Sequence, residues 1–106
     1  MLINPDRPKE AEYTSNWVMC LYVAGQTPKS LAAIANLHRL CNKYLAGQFQ
    51  IEIIDLLEYP ELAEGDNIIA VPTLVRKRPG SVRKIIGNIS DIERTLAALQ
   101  IDAIVY

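Results

Sequence analysis

The residue types best suited to chemistry are two cysteines, one histidine and a few carboxylates, and their spacing matches no catalytic motif. Thiol–disulfide chemistry on an α/β domain needs a low-pKa cysteine at a helix N-terminus, usually in a Cys-x-x-Cys pair. Cys20 instead lies inside an apolar run, and Cys41 lies on the apolar side of a helical pattern. The sequence therefore predicts two reduced, buried core residues.

The other candidate groups lack the partners that a site requires. His38 is the only histidine and has no second ligand at metal-binding spacing. Asp55 and Glu58 have no accompanying nucleophile and are expected to form a solvated edge. The five glycines are scattered and form no phosphate loop. No catalytic residue, metal or cofactor is predicted, and the chain is interpreted as a binding domain.

A basic cluster is the strongest candidate for a binding surface. Its members fall within nine positions and are Arg76, Lys77, Arg78, Arg83 and Lys84. One interpretation is a charged sheet edge that discourages aggregation. The other is a positive patch that docks on an acidic protein surface. Nucleic acid fits less well, because the cluster is short, has no interleaved aromatic residues and belongs to a chain of net charge −1.

The composition is typical of one compact α/β domain. The chain has 106 residues, 50% of them apolar, which is enough for a single modest core. Its apolar runs are too short to cross a bilayer, so no membrane association is predicted. Residues 1–15 have no apolar core like that of a signal peptide. They are predicted to be a flexible tail of a cytoplasmic protein, and residues 16–106 a single domain.

The first half of this domain predicts a strand, a helix and a strand. Residues 16–24 are nearly continuously apolar, which favours a central strand. Thr27 and Pro28 are suited to cap and begin a helix that ends near Gly47. Residues 50–56 predict the second strand. The residues expected on the apolar face of the helix are Leu31, Ile34, Leu37 or His38, Cys41, Tyr44 and Leu45.

The second half predicts a helix, two strands and a helix. A short helix is expected over residues 59–66, a strand entered at Pro72, a turn at residues 79–80 and a strand over residues 82–86. Ser90 and Glu93 form a candidate capping box for a last helix. The apolar face of that helix consists of Ile92, Leu96 and Leu99. The resulting order, βαβαββα, is that of a thioredoxin-like fold.

Pro72 marks the entry to the third predicted strand. Proline cannot donate to a strand ladder, so it belongs at the start or the edge of a strand. Thioredoxin-like domains place a similar Val-Pro-Thr step here, usually with a cis proline, whereas a trans proline at an edge strand is the ordinary alternative. The sequence leaves both open.

Four segments, in order and with nearly ungapped spacing, resemble the KaiB family of circadian-clock proteins. They are residues 21–28 (LYVAGQTP), 54–64 (IDLLEYPELAE), 70–74 (AVPTL) and 82–90 (VRKIIGNIS). The resemblance runs from about Trp17 to Leu99. It implies a regulator, not an enzyme, that binds the ATPase ring of a KaiC-like kinase and modulates its phosphorylation cycle. In cyanobacteria, members also capture the activator KaiA and compete with a thioredoxin-like histidine kinase.

The resemblance also implies specific residues. Arg83 and Lys84 match the family's paired basic residues, and together with Arg76 they are the predicted partner-binding residues. Members of the family switch the second half of the chain between a tetrameric resting state and a thioredoxin-like monomer, so a dimer or tetramer is a possible resting form. Predicted structural or switch positions are Gly25, Pro28, Pro72, Gly87, Ala98 and Gln100.

The chain departs from the family at four positions. Ala98 and Gln100 stand where glycine and aspartate are common, and Glu52 and Asn67 replace lysines implicated at the kinase-binding face. These departures favour a divergent KaiB-like protein with a KaiC-like partner. The alternatives are a KaiB-like adaptor in stress or two-component signalling without a standard clock, and a redox-fold enzyme that retains activity.

Overall fold

The computed structural model describes residues 17–87 and 89–101, which form a four-stranded sheet with two α-helices. The strands are β1 (Trp17–Val23), β2 (Phe49–Asp55), β3 (Thr73–Arg78) and β4 (Arg83–Ile86). The α-helices are α1 (Pro28–Tyr44) and α2 (Ile92–Leu99). The predicted strands and long helices are confirmed with small shifts at their ends. The predicted tail, residues 1–15, lies outside the described residues.

The sheet has the strand order β2-β1-β3-β4. β1 and β2 are parallel because α1 carries the chain back between them, whereas the β1–β3 and β3–β4 pairs are antiparallel. The predicted hairpin at Pro79 and Gly80 joins β3 to β4, and Gly80 adopts a φ of 76° there. β2 and β4 are the two edges of this sheet.

The two faces of the sheet are covered unequally. Both α-helices pack on one face, where the larger core contains Met19, Leu21, Val23, Ala33, Leu37, Leu40, Leu74, Leu96 and Leu99. A smaller cluster of Cys20, Tyr22 and Val75 lies on the other face, covered by Ile54, Leu56 and Ile68. Because β1 is buried on both faces, its near-continuous apolar sequence is explained.

The buried stripe of α1 confirms the prediction at Leu37, Cys41 and Leu45 and differs from it at Leu31. Leu31 is 51% exposed, and the buried residues are Ser30, Ala33, Leu37, Leu40 and Cys41. Small side chains at positions 30 and 33 bring the start of the helix close to the sheet, and this turns Leu31 outwards. The caps are as predicted: the Thr27 hydroxyl accepts the Ser30 N–H at 3.2 Å, and Pro28 follows it.

Two predictions in the second half are wrong. The expected helix over residues 59–66 is a single 3-10 turn, Pro60–Ala63, with no buried residue, so no apolar face is packed to stabilise a longer helix. The N-cap of α2 is Asp91, whose carboxylate accepts the Arg94 N–H at 3.1 Å. Ser90 is therefore not the N-cap, and Glu93 stands at the second helical position instead of the third position that a capping box requires.

Pro72 is buried at the entry to β3, and the peptide bond that joins it to Val71 is cis. Of the two alternatives that the sequence left open, the structure has the cis proline and not the trans proline. The Pro72 carbonyl accepts the Gly87 N–H at 2.9 Å, which extends the β3–β4 ladder by one pair. Pro72 has no N–H to return to Gly87, so it supplies only the acceptor of this pair, at the start of the strand where proline is tolerated.

Candidate partner-binding surface

The N-terminus of α1 lies where redox proteins of this fold carry their reactive thiols. Residues 25–28 contain none, as the sequence indicated. Thr27 and Ser30 instead stand three residues apart, the spacing of a Cys-x-x-Cys pair, and the Thr27 hydroxyl donates to Ser30 Oγ at 3.0 Å. The position is therefore occupied by two hydroxyl groups that complete the helix cap.

Cys20 and Cys41 are free and buried, as predicted. Burial raises the pKa of Cys41 to about 12. Burial also raises the pKa of Cys20, against the smaller opposing effect of a hydrogen bond with Tyr22. Because the thiolate is the nucleophile, thiols held in the protonated form are unreactive. Both cysteines are core residues.

Asp55 is a structural residue, and the prediction that it forms a solvated edge is wrong. Its half-buried side chain lies on the last residue of β2, and its Oδ1 accepts the backbone N–H groups of Gly25 and Leu57, both at 2.9 Å. One carboxylate oxygen thereby fixes the turn after β1 to the turn after β2. This arrangement satisfies two donors and leaves Asp55 no evident catalytic task.

Arg76 is not a surface residue, which corrects its predicted place in the basic patch. Its side chain is among the largest that are fully buried. Its guanidinium donates to Leu99 O at the end of α2 and to Ser81 O in the hairpin, both at 2.6 Å. Burial, reinforced by the nearby charge of Arg83, lowers the pKa of Arg76. Arg76 therefore holds elements together and is not available to a partner.

Arg83 and Lys84 are both exposed, but they lie on opposite faces of β4. Arg83 is paired with Arg76, whose side chain lies on the face with the α-helices, whereas Lys84 is paired with Val75 on the other face. Neighbouring residues of a strand alternate between faces, so the two cations do not form one flat patch. They flank the free edge of the sheet.

A polar network on the second face was not predicted. The Tyr22 hydroxyl donates to Asp66 Oδ2 at 2.6 Å, and Lys77 Nζ lies 2.9 Å from the same oxygen. Burial, followed by the hydrogen bond to Asp66, raises the pKa of Tyr22 and keeps the phenol protonated. No local pattern identifies this contact, because 44 residues separate Tyr22 from Asp66.

The predicted switch positions occupy ordinary places in this arrangement. Gly25 and Gly87 have positive φ values of 69° and 120°, which favour glycine. Ala98 is half-buried in the last turn of α2. Gln100 caps this helix in the left-handed conformation, with a φ of 61° and a ψ of 40°. A single arrangement does not test a switch, so that role stays a prediction.

Residues 17–87 and 89–101 contain neither a membrane-spanning helix nor a cluster of metal-ligating side chains. No helix in these ranges is long and apolar enough to span a membrane. These same residues contain no group of three or more histidine, cysteine, aspartate or glutamate side chains placed to hold a metal ion.

Solved structures with the same fold include the N-terminal domain of SasA and a thioredoxin. The N-terminal domain of SasA from Synechococcus elongatus has a TM-score of 0.68 and 18% identity, covering 94% of this chain and 93% of that one. Mitochondrial thioredoxin 3 from Saccharomyces cerevisiae has a TM-score of 0.64 and 18% identity, covering 86% and 88%. The protein is thus a thioredoxin-like domain whose described residues lack the redox dithiol.

Sequence comparison identifies the family. The KaiB domain model matches residues 20–101, so the chain belongs to the KaiB family. The circadian clock oscillator protein KaiB of Prochlorococcus marinus is 44% identical over 85 residues, which cover 80% of this chain and 75% of that protein. The KaiB protein of Acaryochloris marina is 45% identical over 85 residues, covering 80% and 82%. The predicted family and the predicted fold class are both confirmed.

Proposed function

We propose that this protein is a non-enzymatic regulator that binds the ATPase ring of a KaiC-like kinase and modulates its phosphorylation cycle. The observation that carries the proposal is membership of the KaiB family over residues 20–101. Relatives at 44% and 45% identity are named circadian clock oscillator proteins. Buried, protonated cysteines and the hydroxyl pair at the start of α1 support a binding role over a redox role.

Exposed cations on β4 supply the proposed contact with the ring. Arg83 and Lys84 project from the two faces at a free edge, where an acidic surface of a partner can approach both. Arg76 has no direct part in this contact because it is buried. Exposed charges act mainly on the rate and the register of association, so this contact is expected to accelerate docking.

The test measures association of the protein with a purified KaiC-like ATPase. Reversing both charges in the variant Arg83→Glu/Lys84→Glu is expected to slow association several-fold to roughly tenfold at low salt, and less at high salt. Arg39→Glu/Lys43→Glu is the matched control, since it changes net charge equally on exposed positions of α1. Equal kinetics for the two variants would show that the β4 cations do not contact the ring.

A second candidate is a KaiB-like adaptor in stress or two-component signalling without a standard clock. It is favoured by Glu52 and Asn67, which replace family lysines implicated at the kinase-binding face. Both are exposed, so the substitutions alter the surface charge directly. Affinity purification from the native cell distinguishes the two candidates: recovery of a KaiC-like ATPase supports the first, and recovery of a signalling kinase without it supports the second. A KaiA-like activator or a histidine kinase recovered with the ATPase would extend the first.

A further inference from the structure

β4 is an edge strand of the sheet that the described residues form. The Gly87 N–H donates to Pro72 O, and the register pairs Leu74 with Ile85. Residue pairs in an antiparallel ladder alternate between hydrogen-bonded and non-hydrogen-bonded positions. The backbone N–H and C=O groups of Lys84 and Ile86 therefore point away from β3, and no described strand lies on that side. They are available to another extended chain.

A groove lies beside this edge, between β4 and α2. It has a volume of about 390 Å³. Ile85, Ile89 and Ala98 supply apolar lining and Arg94 contributes positive charge, while the side chain of Lys84 lies on the opposite face of the strand. On the opposite face of the strand, the side chain of Ile86 is 61% exposed. A strand added at this edge would place alternate side chains towards the groove and towards Ile86.

Charge determines which occupant suits the edge. Arg83, Lys84 and Arg94 are exposed around it. Of the neighbouring acids, Asp91 accepts the Arg94 N–H as the N-cap of α2, and Glu93 is exposed in the first helical turn. A second copy of this chain is a poor occupant, because pairing of two β4 strands would bring like charges together. An acidic segment complements the edge.

We propose that the β4 edge binds an extended, acidic segment of another protein as an added strand. The backbone groups of Lys84 and Ile86 provide the hydrogen bonds, the groove accepts an apolar side chain, and the exposed cations pair with carboxylates. This inference goes beyond the proposed function, because it assigns backbone pairing at one edge and requires no ATPase ring.

The test uses a short, end-capped peptide of alternating valine and glutamate as the probe. Its binding is followed through the amide resonances of the isotope-labelled full chain. Shifts are expected to concentrate on residues 83–86 and on the groove. A peptide with lysine in place of glutamate is expected to bind at least roughly tenfold more weakly, because its charges oppose those of the edge.

A proline at position 86 isolates the backbone contribution. Ile86→Pro removes an N–H that the β3–β4 ladder does not use, which is the position where an edge strand tolerates proline. It is expected to weaken peptide binding roughly tenfold relative to Ile86→Ala, which loses the side chain but keeps the donor. Both variants retain Arg83 and Lys84, so association with a KaiC-like ring that depends on charge alone is preserved.

A modified peptide gives the same test without changing the protein. N-methylation of the amides that would face β4 removes their donors, and the methylated peptide is expected to bind at least roughly tenfold more weakly. Equal binding of the methylated and parent peptides would overturn the proposal, as would shifts concentrated on β2 or no binding of the parent peptide. Loss of ring association in the charge-reversed variant bears on the proposed function and leaves these outcomes unaffected.

Discussion

At the scale of single residues, the guanidinium of Arg76 joins three parts of the molecule. It donates to Leu99 O and Ser81 O, and its carbon lies 5.8 Å from the centre of the Trp17 ring. The buried Nε has no hydrogen-bond partner among the described residues. The hydrogen bond to the buried Leu99 carbonyl is costly to break, because its donor is charged and the carbonyl would lose its partner. Arg76 is therefore expected to matter for stability.

We expect Arg76→Ala to lower the free energy of unfolding by about 2–4 kcal/mol. The loss comes from two unmade hydrogen bonds and from the space left between β3 and α2. Arg78→Ala is the control, because Arg78 is exposed on the same strand and should change stability by no more than about 0.5 kcal/mol. Urea denaturation measures both, and equal effects would contradict the structural role.

Asp66 predicts a pH dependence. Burial opposes ionisation of its carboxyl group, but the hydrogen bonds from Tyr22 and Lys77 and the charges of Lys77 and Lys84 outweigh it, so the pKa of Asp66 is lowered. A carboxyl group with a lower pKa in the folded state stabilises the fold above its unfolded pKa of about 3.9. That contribution is lost as the pH falls through the folded pKa.

The corresponding variant is Asp66→Asn. It should be about 1 kcal/mol less stable than the parent at pH 7 and lose stability less steeply on acidification below about pH 4. Tyr22→Phe removes one of the donors to Asp66, so its stability should lie between those of the parent and Asp66→Asn. Denaturation midpoints recorded from neutral to acid pH provide the comparison. If Asp66→Asn lost stability on acidification as steeply as the parent, Asp66 would not be the source of the pH dependence.

Because both cysteines are buried, we expect the protein to have no thiol–disulfide activity. Replacing both in Cys20→Ala/Cys41→Ala should cost about 1–3 kcal/mol of stability, since each removes a buried side-chain atom. Binding to the ATPase should be retained, because both residues are buried in the core. Dithiol-dependent reduction of insulin, with a thioredoxin as positive control, should be absent from both proteins. Reduction by the parent that the variant lacks would contradict this reading.

At the scale of elements, local patterns predicted the strands and long helices because their signals are short-range. The apolar run of β1 and the Thr-Pro start of α1 needed no tertiary information. The burial of Arg76 could not be predicted without tertiary information, since α2 supplies the carbonyl that accepts its hydrogen bond. The network around Asp66 was equally inaccessible, because it joins a strand to a distant loop. The basic pair at β4 was found as a pair, but the pleat that separates its members was overlooked.

The end of α2 is expected to influence the equilibrium between the thioredoxin-like and the tetrameric arrangement that the family resemblance implies. Ala98 lies in the helix, where glycine would cost about 0.8–1.0 kcal/mol. A propensity change of this size shifts a two-state equilibrium roughly fivefold per chain. If the second half of the chain is not helical here in the tetrameric arrangement, alanine at position 98 favours the thioredoxin-like one. We infer that this chain populates the thioredoxin-like arrangement more than typical members of the family.

At the scale of the whole molecule, this inference concerns the oligomer. Ala98→Gly/Gln100→Asp should move the population towards a tetramer, because four chains convert together. Ala35→Gly is the control: it lies on an exposed position of α1, in the half that is predicted to be the same in both arrangements, and should leave the equilibrium unchanged. Light scattering gives the mass, and amide shifts over residues 68–87 and 89–99 report the arrangement. The inference would be contradicted if the parent protein were already wholly tetrameric and the double variant had the same mass and the same amide shifts.

The hydroxyl pair at the start of α1 has a consequence for the history of this fold. Thr27 and Ser30 keep the spacing of a dithiol, and their oxygens are 3.0 Å apart. Oxygen at these two positions preserves the helix cap but accepts no electrons under conditions in which a disulfide would. A lineage can therefore abandon electron transfer by exchanging sulfur for oxygen at both positions, with one added methyl group at position 27, while the backbone stays in place. The surface around this turn is then free to evolve under selection for partners alone.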